Sequence, residues 1–156
     1  VNISGRSFDE PTLPQYIAAQ LATLGVAPTR LMVELTETSA VSDLHDAQRF
    51  IEALRQAGCR VCLDDFGTGF SSFAYLKHLK ADILKIDGLF IRDLPNDHDN
   101  QVFVKSIVDV ARGMRKLTVA EFVEDRETLE MLKAFGVDLV QGYHLDMPRA
   151  NHSALG

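Results

Sequence analysis

The sequence predicts an α/β protein whose parallel sheet is covered by helices, and three observations predict it. Six short apolar runs, rich in Val, Ile and Leu, recur along the chain. Amphipathic helical stretches lie between them and stop at glycines. Each run also carries a polar residue at or near its C-terminal end. Runs this short and this apolar suit strands buried on both faces, and regular alternation with helices makes the connections parallel.

Val1 to Ser4 reads as the first strand. Leu13, Ile17, Leu21 and Leu24 keep helical spacing and stop at Gly25, where a left-handed residue closes a helix. Leu31 to Leu35 forms the second strand. Leu44, Ala47, Ile51 and Leu54 make the next helical face, with Ser42 or Asp43 as N-cap and Gly58 as the stop. Arg60 to Leu63 is the third strand, a shorter helix follows from Ser72 to His78, and Ile83 to Ile86 is the fourth strand. Beyond Pro95, Phe103, Ile107, Val110 and Met114 predict a longer helix. Leu117 to Ala120 is the fifth strand, Leu129 and Leu132 belong to a helix ending near Gly136, and Val137 to Val140 is the last strand. An open doubly wound sheet and a closed barrel both fit this order. No Gly-x-Gly-x-x-Gly follows a strand, which leaves a dinucleotide-binding version without its phosphate loop.

At 156 residues with 46% apolar content, the chain is the size of one domain with a substantial core. A net charge of -6 argues against holding duplex nucleic acid by phosphate neutralisation. No apolar stretch approaches the roughly 18 residues of a membrane span, so a cytoplasmic domain without membrane contact is expected. Cys59 and Cys62 have redox-pair spacing but sit in a strand-like run, and a structural role is expected of them.

The polar residues at the strand ends carry the functional signal: Asn2, Glu34, Asp64 with Asp65, Lys85, Glu121 with Glu124, and Gln141. Burying a lone carboxylate in a run such as Leu31-Met32-Val33-Glu34-Leu35 is costly unless a counter-charge or a metal compensates. In a (β/α) barrel, strand C-termini surround one mouth, where these side chains would meet. Carboxylates with an amide oxygen form a hard-oxygen set suited to Mg²⁺ or Mn²⁺, and two such ions suit phosphodiester hydrolysis. Because strand neighbours face opposite ways, the strand is expected to end between Asp64 and Asp65, with Gly67-Thr68-Gly69 turning the chain. Lys85 is expected to face the carboxylates, with a salt bridge to Asp87 as the simpler alternative. Asp65-Phe66-Gly67 also matches the kinase metal-binding triplet, but no Gly-rich nucleotide loop or His-Arg-Asp loop accompanies it. None of the histidines, His45, His78, His98, His144 and His152, is assigned chemistry.

Val1-Asn2-Ile3-Ser4, Glu34-Leu35-Thr36-Glu37, Leu63-Asp64-Asp65-Phe66-Gly67-Thr68-Gly69-Phe70-Ser71-Ser72, Leu84-Lys85-Ile86-Asp87, Ala120-Glu121-Phe122-Val123-Glu124 and Gln141-Gly142-Tyr143 follow one another along the chain. In that order and spacing the sequence resembles the EAL family of cyclic-di-GMP phosphodiesterases over essentially its whole length. The resemblance implies a TIM-like (β/α) barrel and hydrolysis of cyclic di-GMP to linear pGpG with two divalent cations, Mg²⁺ or Mn²⁺. Carried over residue by residue, it makes Asn2, Glu34, Asp64, Asp65 and Glu121 metal ligands, with Asp64 between the ions. Lys85 would orient or activate the attacking water, supported by Glu124 and Gln141. Glu37 would hold the loop from Phe66 to Ser72, and the helix after Pro95 lies where family members dimerise.

The same resemblance implies a chain that begins inside the barrel's third strand, with about six of eight βα units. Residues 1–156 would then be the C-terminal two-thirds of an EAL domain, lacking the Glu-Ala-Leu motif, within a longer protein that carries GGDEF or sensor domains. The piece alone is expected to be weak or inactive. Phe122 stands where the family most often has glycine. An active phosphodiesterase is expected, with a receptor that binds cyclic di-GMP without cleaving it as the alternative; a purely structural interaction domain would leave the buried carboxylates unexplained.

Overall fold

Five parallel strands lie side by side in the order in which the chain makes them: β1 (Met32–Thr36), β2 (Arg60–Phe66), β3 (Ile83–Ile86), β4 (Leu117–Ala120) and β5 (Leu139–Val140). The computed structural model describes residues 1–68 and 73–147. A doubly wound sheet reverses its strand order at a switch point, whereas a barrel adds each strand to the same side of the last. The order here never reverses, so the sheet is built as in a barrel.

The helices follow the sequence pattern closely. α1 (Leu13–Thr23) is closed by Gly25, as the Val26 amide donates back to the Leu21 carbonyl at 2.9 Å. α3 (Leu44–Gln56) starts at Asp43, whose carboxylate accepts from the Asp46 amide at 3.3 Å. α4 (His98–Gly113) is capped by Asp97 and α5 (Arg126–Phe135) by Asp125 in the same way. One helix has no periodic signature: α2 (Glu37–Ser42) begins directly at the end of β1, capped by Thr36. At six residues it is too short for an amphipathic pattern to show.

Three expected elements are corrected. Val1 to Ser4 is not a strand; it makes one parallel bridge, Asn2 to Glu34, before Ser4 caps a 3-10 helix at Gly5–Asp9. The early cap ends the ladder before a second pair can form. The last strand shrinks from Val137–Val140 to Leu139–Val140, because helix closure uses the Val137 amide. Gly136 adopts φ 83°, and the Val137 amide bonds to the Leu132 carbonyl at 3.1 Å. The expected helix from Ser72 to His78 is, over Phe73 to His78, a series of turns with bonds such as Leu76 N to Phe73 O at 3.2 Å. Ser72 lies outside the described residues, as do Gly69, Phe70, Ser71 and His152.

Register and alternation together fix what the two faces of the sheet carry. Glu34 pairs with Cys62, Cys62 with Ile83, Lys85 with Val119 and Val119 with Leu139. These residues and those two positions away, Asp64, Glu121 and Gln141, share one face. The other face carries Val33, Leu35, Val61, Leu63, Leu84, Ile86 and Ala120, all buried in one core with Ile51 and Leu54 of α3 and Val104 and Ile107 of α4. Each large aliphatic side chain withdrawn there stabilises the fold by about 1.5–3 kcal/mol, before chain entropy is counted. The core thus holds the strands at a fixed stagger, which sets where the polar face ends.

Candidate active site

Lys85 is the centre of the polar face. Its stem lies within the sheet, only 7% of the residue is exposed, and its ammonium meets Glu121 at 2.8 Å, Glu34 at 3.2 Å and Asp64 at 3.4 Å. One cation therefore joins carboxylates from β1, β2 and the end of β4. Burial by itself lowers a lysine, but the hydrogen bond to Glu121 and the charge of Asp64 outweigh it and hold Lys85 above its usual range. The alternative salt bridge to Asp87 does not form among the described residues. Asp87 instead caps the 3-10 helix Gly88–Phe90, accepting from the Leu89 amide at 2.6 Å.

Asp64 and Asp65 reach the same side by a route the sequence did not indicate. β2 does not end between them; it continues to Phe66 through a bulge between Leu63 and Phe66. Asp65 takes φ 54°, a left-handed conformation open to aspartate at moderate cost. The extra residue breaks the strict alternation, so oxygens of Asp64, Asp65 and Glu121 lie within 4.8 Å of one another. Asp65 is raised above the usual carboxylate range, first by burial and then by the charges of Asp64 and Asp87. Burial also raises Glu121, against the opposing pull of Lys85. Acidic oxygens this close repel one another, and a divalent cation would relieve that repulsion, so the donor set fits a hard metal ion.

A carboxyl raised in the folded state contributes stability that is present below its unfolded value and is lost as pH rises through its folded value. Asp65 and Glu121 are therefore expected to cost the metal-free protein stability as pH climbs from the acid side toward neutrality. Added Mn²⁺ should raise the melting temperature more at neutral than at acid pH. Melting curves at constant ionic strength, with and without the ion, test this; an increment that is absent, or equal at both pH values, would count against it.

The remaining expected residues sit around this group. Asn2 is exposed and is brought beside Glu34 by its backbone bridge. Glu124 and Gln141 are exposed and, with Glu121, Phe122, Gly142 and Tyr143, line an adjoining cavity of about 220 Å³. The Gln141 strand end is held by paired backbone bonds, Gln141 N to Ala120 O at 2.9 Å and Val123 N to Gln141 O at 3.1 Å. Phe122 takes φ 54° and lies over Gly88, with the Arg92 guanidinium 4.4 Å from its ring centroid. That cation-π contact helps hold a bulky side chain in a conformation that suits glycine better.

Glu37 is buried at 1% exposure and lies behind the cluster. Its carboxylate accepts from the Gly67 amide at 2.8 Å and from the Tyr75 hydroxyl, tying α2 to both sides of the segment after β2. Tyr75 belongs to no motif, so its part was not legible before the fold was known. Gly67 is at φ 103°, and a Cβ there would meet the Phe90 and Phe103 rings at 2.9 Å, which packs this turn against α4. Glu37→Ala should leave two polar groups short of an acceptor, at about 1–3 kcal/mol each. The expected drop in melting temperature is several degrees, with Glu37→Gln, which keeps one acceptor oxygen, losing less.

Cys62 lies on the polar face below the carboxylates, and its thiol is pushed up to about 12 by burial and by the charges of Glu34 and Asp64. Such a thiol stays protonated and unreactive. Both cysteines are free and buried.

Fold and site define a barrel-type α/β protein whose carboxylates, from separate βα units, meet around one buried lysine at the C-terminal ends of the strands. The chain belongs to the EAL domain family, whose model matches residues 1–148. Its five strands are an arc of that family's TIM-like barrel. It is 38% identical over 149 residues to the cyclic di-GMP phosphodiesterase PdeB of Shewanella oneidensis, which covers 96% of this chain and 17% of the relative. Among solved structures it resembles a PaMucR phosphodiesterase–c-di-GMP complex, with a TM-score of 0.89 and 36% identity over 95% of this chain and 60% of that one. It also resembles the manganese/cy-diGMP complex of Klebsiella pneumoniae BlrP1, with a TM-score of 0.86 and 29% identity over 92% of this chain and 37% of that one. The chain thus spans about a sixth of the curated relative. Among the described residues no helix is long and apolar enough to cross a membrane.

Proposed function

We propose that this chain forms most of a site that hydrolyses one phosphodiester of cyclic di-GMP to linear pGpG. The observation that carries the proposal is the meeting of Asp64, Asp65 and Glu121 oxygens within 4.8 Å, beside a lysine that also contacts Glu34. Asn2, Glu34, Asp64, Asp65 and Glu121 would hold two Mg²⁺ or Mn²⁺ ions, as hard oxygen donors do. When bound, such ions polarise the phosphate and make water a better nucleophile.

The chain's own residues supply position and charge. Lys85 would hold the carboxylates at a fixed spacing and would donate to the attacking water or to a phosphate oxygen in exchange for one of its three carboxylate contacts. Glu124 and Gln141, on the wall of the adjoining cavity, would orient that water or the leaving group. Glu37 keeps the turn at Gly67 in place through its bond to that amide. Phe122 and Tyr143 give the cavity an apolar wall against which a guanine could lie. The proposal extends to one EAL domain over residues 1–156, a cytoplasmic location, a homodimer, and GGDEF or sensor partners that regulate it.

The test is to incubate the protein carrying this chain with cyclic di-GMP and Mn²⁺ and to follow pGpG by chromatography, with a chelator as control. Chelator-sensitive release of pGpG supports the proposal. Saturable binding with no product under any divalent ion would make the protein a receptor and overturn it.

A further inference from the structure

At the end of the sheet opposite the acidic cluster lies a second concave site of opposite charge. A cavity of about 520 Å³ is lined by Arg55, Arg60, Lys80, Arg115 and Lys116 around a floor of Ile83 and Leu117. In a chain with a net charge of -6, five of 16 basic side chains gather there, and among the described residues Asp82 is the one acidic residue on the wall. Arg60 and Asp64 are four residues apart on β2, so the two sites are separated by roughly 13 Å along the strand.

Charge pairing within the chain leaves most of this cavity uncompensated. Asp82 is already engaged on both oxygens, by Arg55 at 3.2 Å and by the Val61 amide at 2.9 Å. Lys80 pairs with Glu52 at 2.9 Å. Arg60, Arg115 and Lys116 make no ion pair among the described residues. Lys116 is the most telling of the three, since its ammonium is drawn inward onto the carbonyls of Leu79 at 3.0 Å and Ala81 at 2.7 Å. Those two bonds leave a third N–H direction, and burial lowers its pKa, an effect that the charge of Asp82 offsets only in part. A fixed, partly desolvated ammonium beside two free guanidinium groups is the arrangement that takes a phosphate, with Arg supplying paired donors and Lys a point charge. Leu117 and Met114 are partly exposed beside it and give an apolar surface for the rest of such a ligand.

We propose that this cavity binds a small molecule carrying a phosphate monoester or pyrophosphate, at a site separate from the acidic cluster. Isothermal titration of the protein with pyrophosphate, GMP and inorganic phosphate, in the presence of a chelator, tests it. Saturable binding of at least one of them is expected, weakened at least tenfold by Arg60→Glu and by Arg115→Glu. Both positions are exposed, so folding should survive, and circular-dichroism melts confirm it for each variant. Arg126→Glu, at the other end of the sheet, makes the same change in net charge and should leave binding unchanged. If an inorganic ion binds as well as GMP, phosphate is the recognised group; if only GMP binds, the apolar floor contributes. The proposal is overturned by absence of saturable binding, by equal weakening in Arg126→Glu, or by binding only to long polyanions such as nucleic acid.

Discussion

Asp64→Asn is expected to lower pGpG release from cyclic di-GMP by at least about a hundredfold, the scale on which removal of one charge-stabilising group acts. The substitution is nearly isosteric. Its remaining oxygen can still accept from the Asp65 amide, as Asp64 does at 3.0 Å, so the bulge should keep its shape. What is lost is one negative charge from the group formed with Asp65 and Glu121. Lys85 retains Glu34 and Glu121, so the melting temperature should move by no more than a few degrees. Activity near the parent level with Asn at this position would remove Asp64 from the proposed metal set.

Lys85→Met is expected to have the largest effect on stability. It removes the ammonium shared by three carboxylates, and breaking a buried pair from one side costs about 3–5 kcal/mol. For a chain of this size, that is a fall of roughly 10 °C in melting temperature. Part of the loss should return with millimolar Mn²⁺, because a divalent ion offsets the same carboxylates. Methionine fills the same space, so a cavity cannot account for the fall. Unchanged melting in chelator would show that the lysine is not the counter-charge that holds these groups together. Hydrolysis should be lost as well, whether or not the ion restores stability.

Much of this was legible in the sequence because the physical demand was local. Leu44, Ala47, Ile51 and Leu54 had to share a helix face, with Ser42 or Asp43 to cap it; the structure uses Asp43. The apolar runs ending in Glu34, Asp64, Lys85 and Glu121 could be read as strands because burial on both faces requires such runs. Elements set by competition for single backbone groups were less legible. Val137 reads as strand, yet its amide closes α5. Val1 to Ser4 has strand composition, yet Ser4 starts a 3-10 helix. α2 has no periodicity to read, and Glu37 stood out only through the family resemblance.

The kinds of side chains at the strand ends, and the alternation that turns Lys85 away from Leu84 and Ile86 within one strand, were determined by the sequence alone; that Glu34, Lys85, Glu121 and Gln141 share a face was set by the register between strands. Whether those ends stood at one level was decided by the tertiary structure: the stagger of neighbouring strands depends on packing against α3 and α4, residues far away along the chain. The structure also decided that a bulge, with Asp65 left-handed, brings both aspartates to the same side. A period of two cannot produce that from consecutive residues, and only the pairing of β2 with β3 fixes where the extra residue is placed.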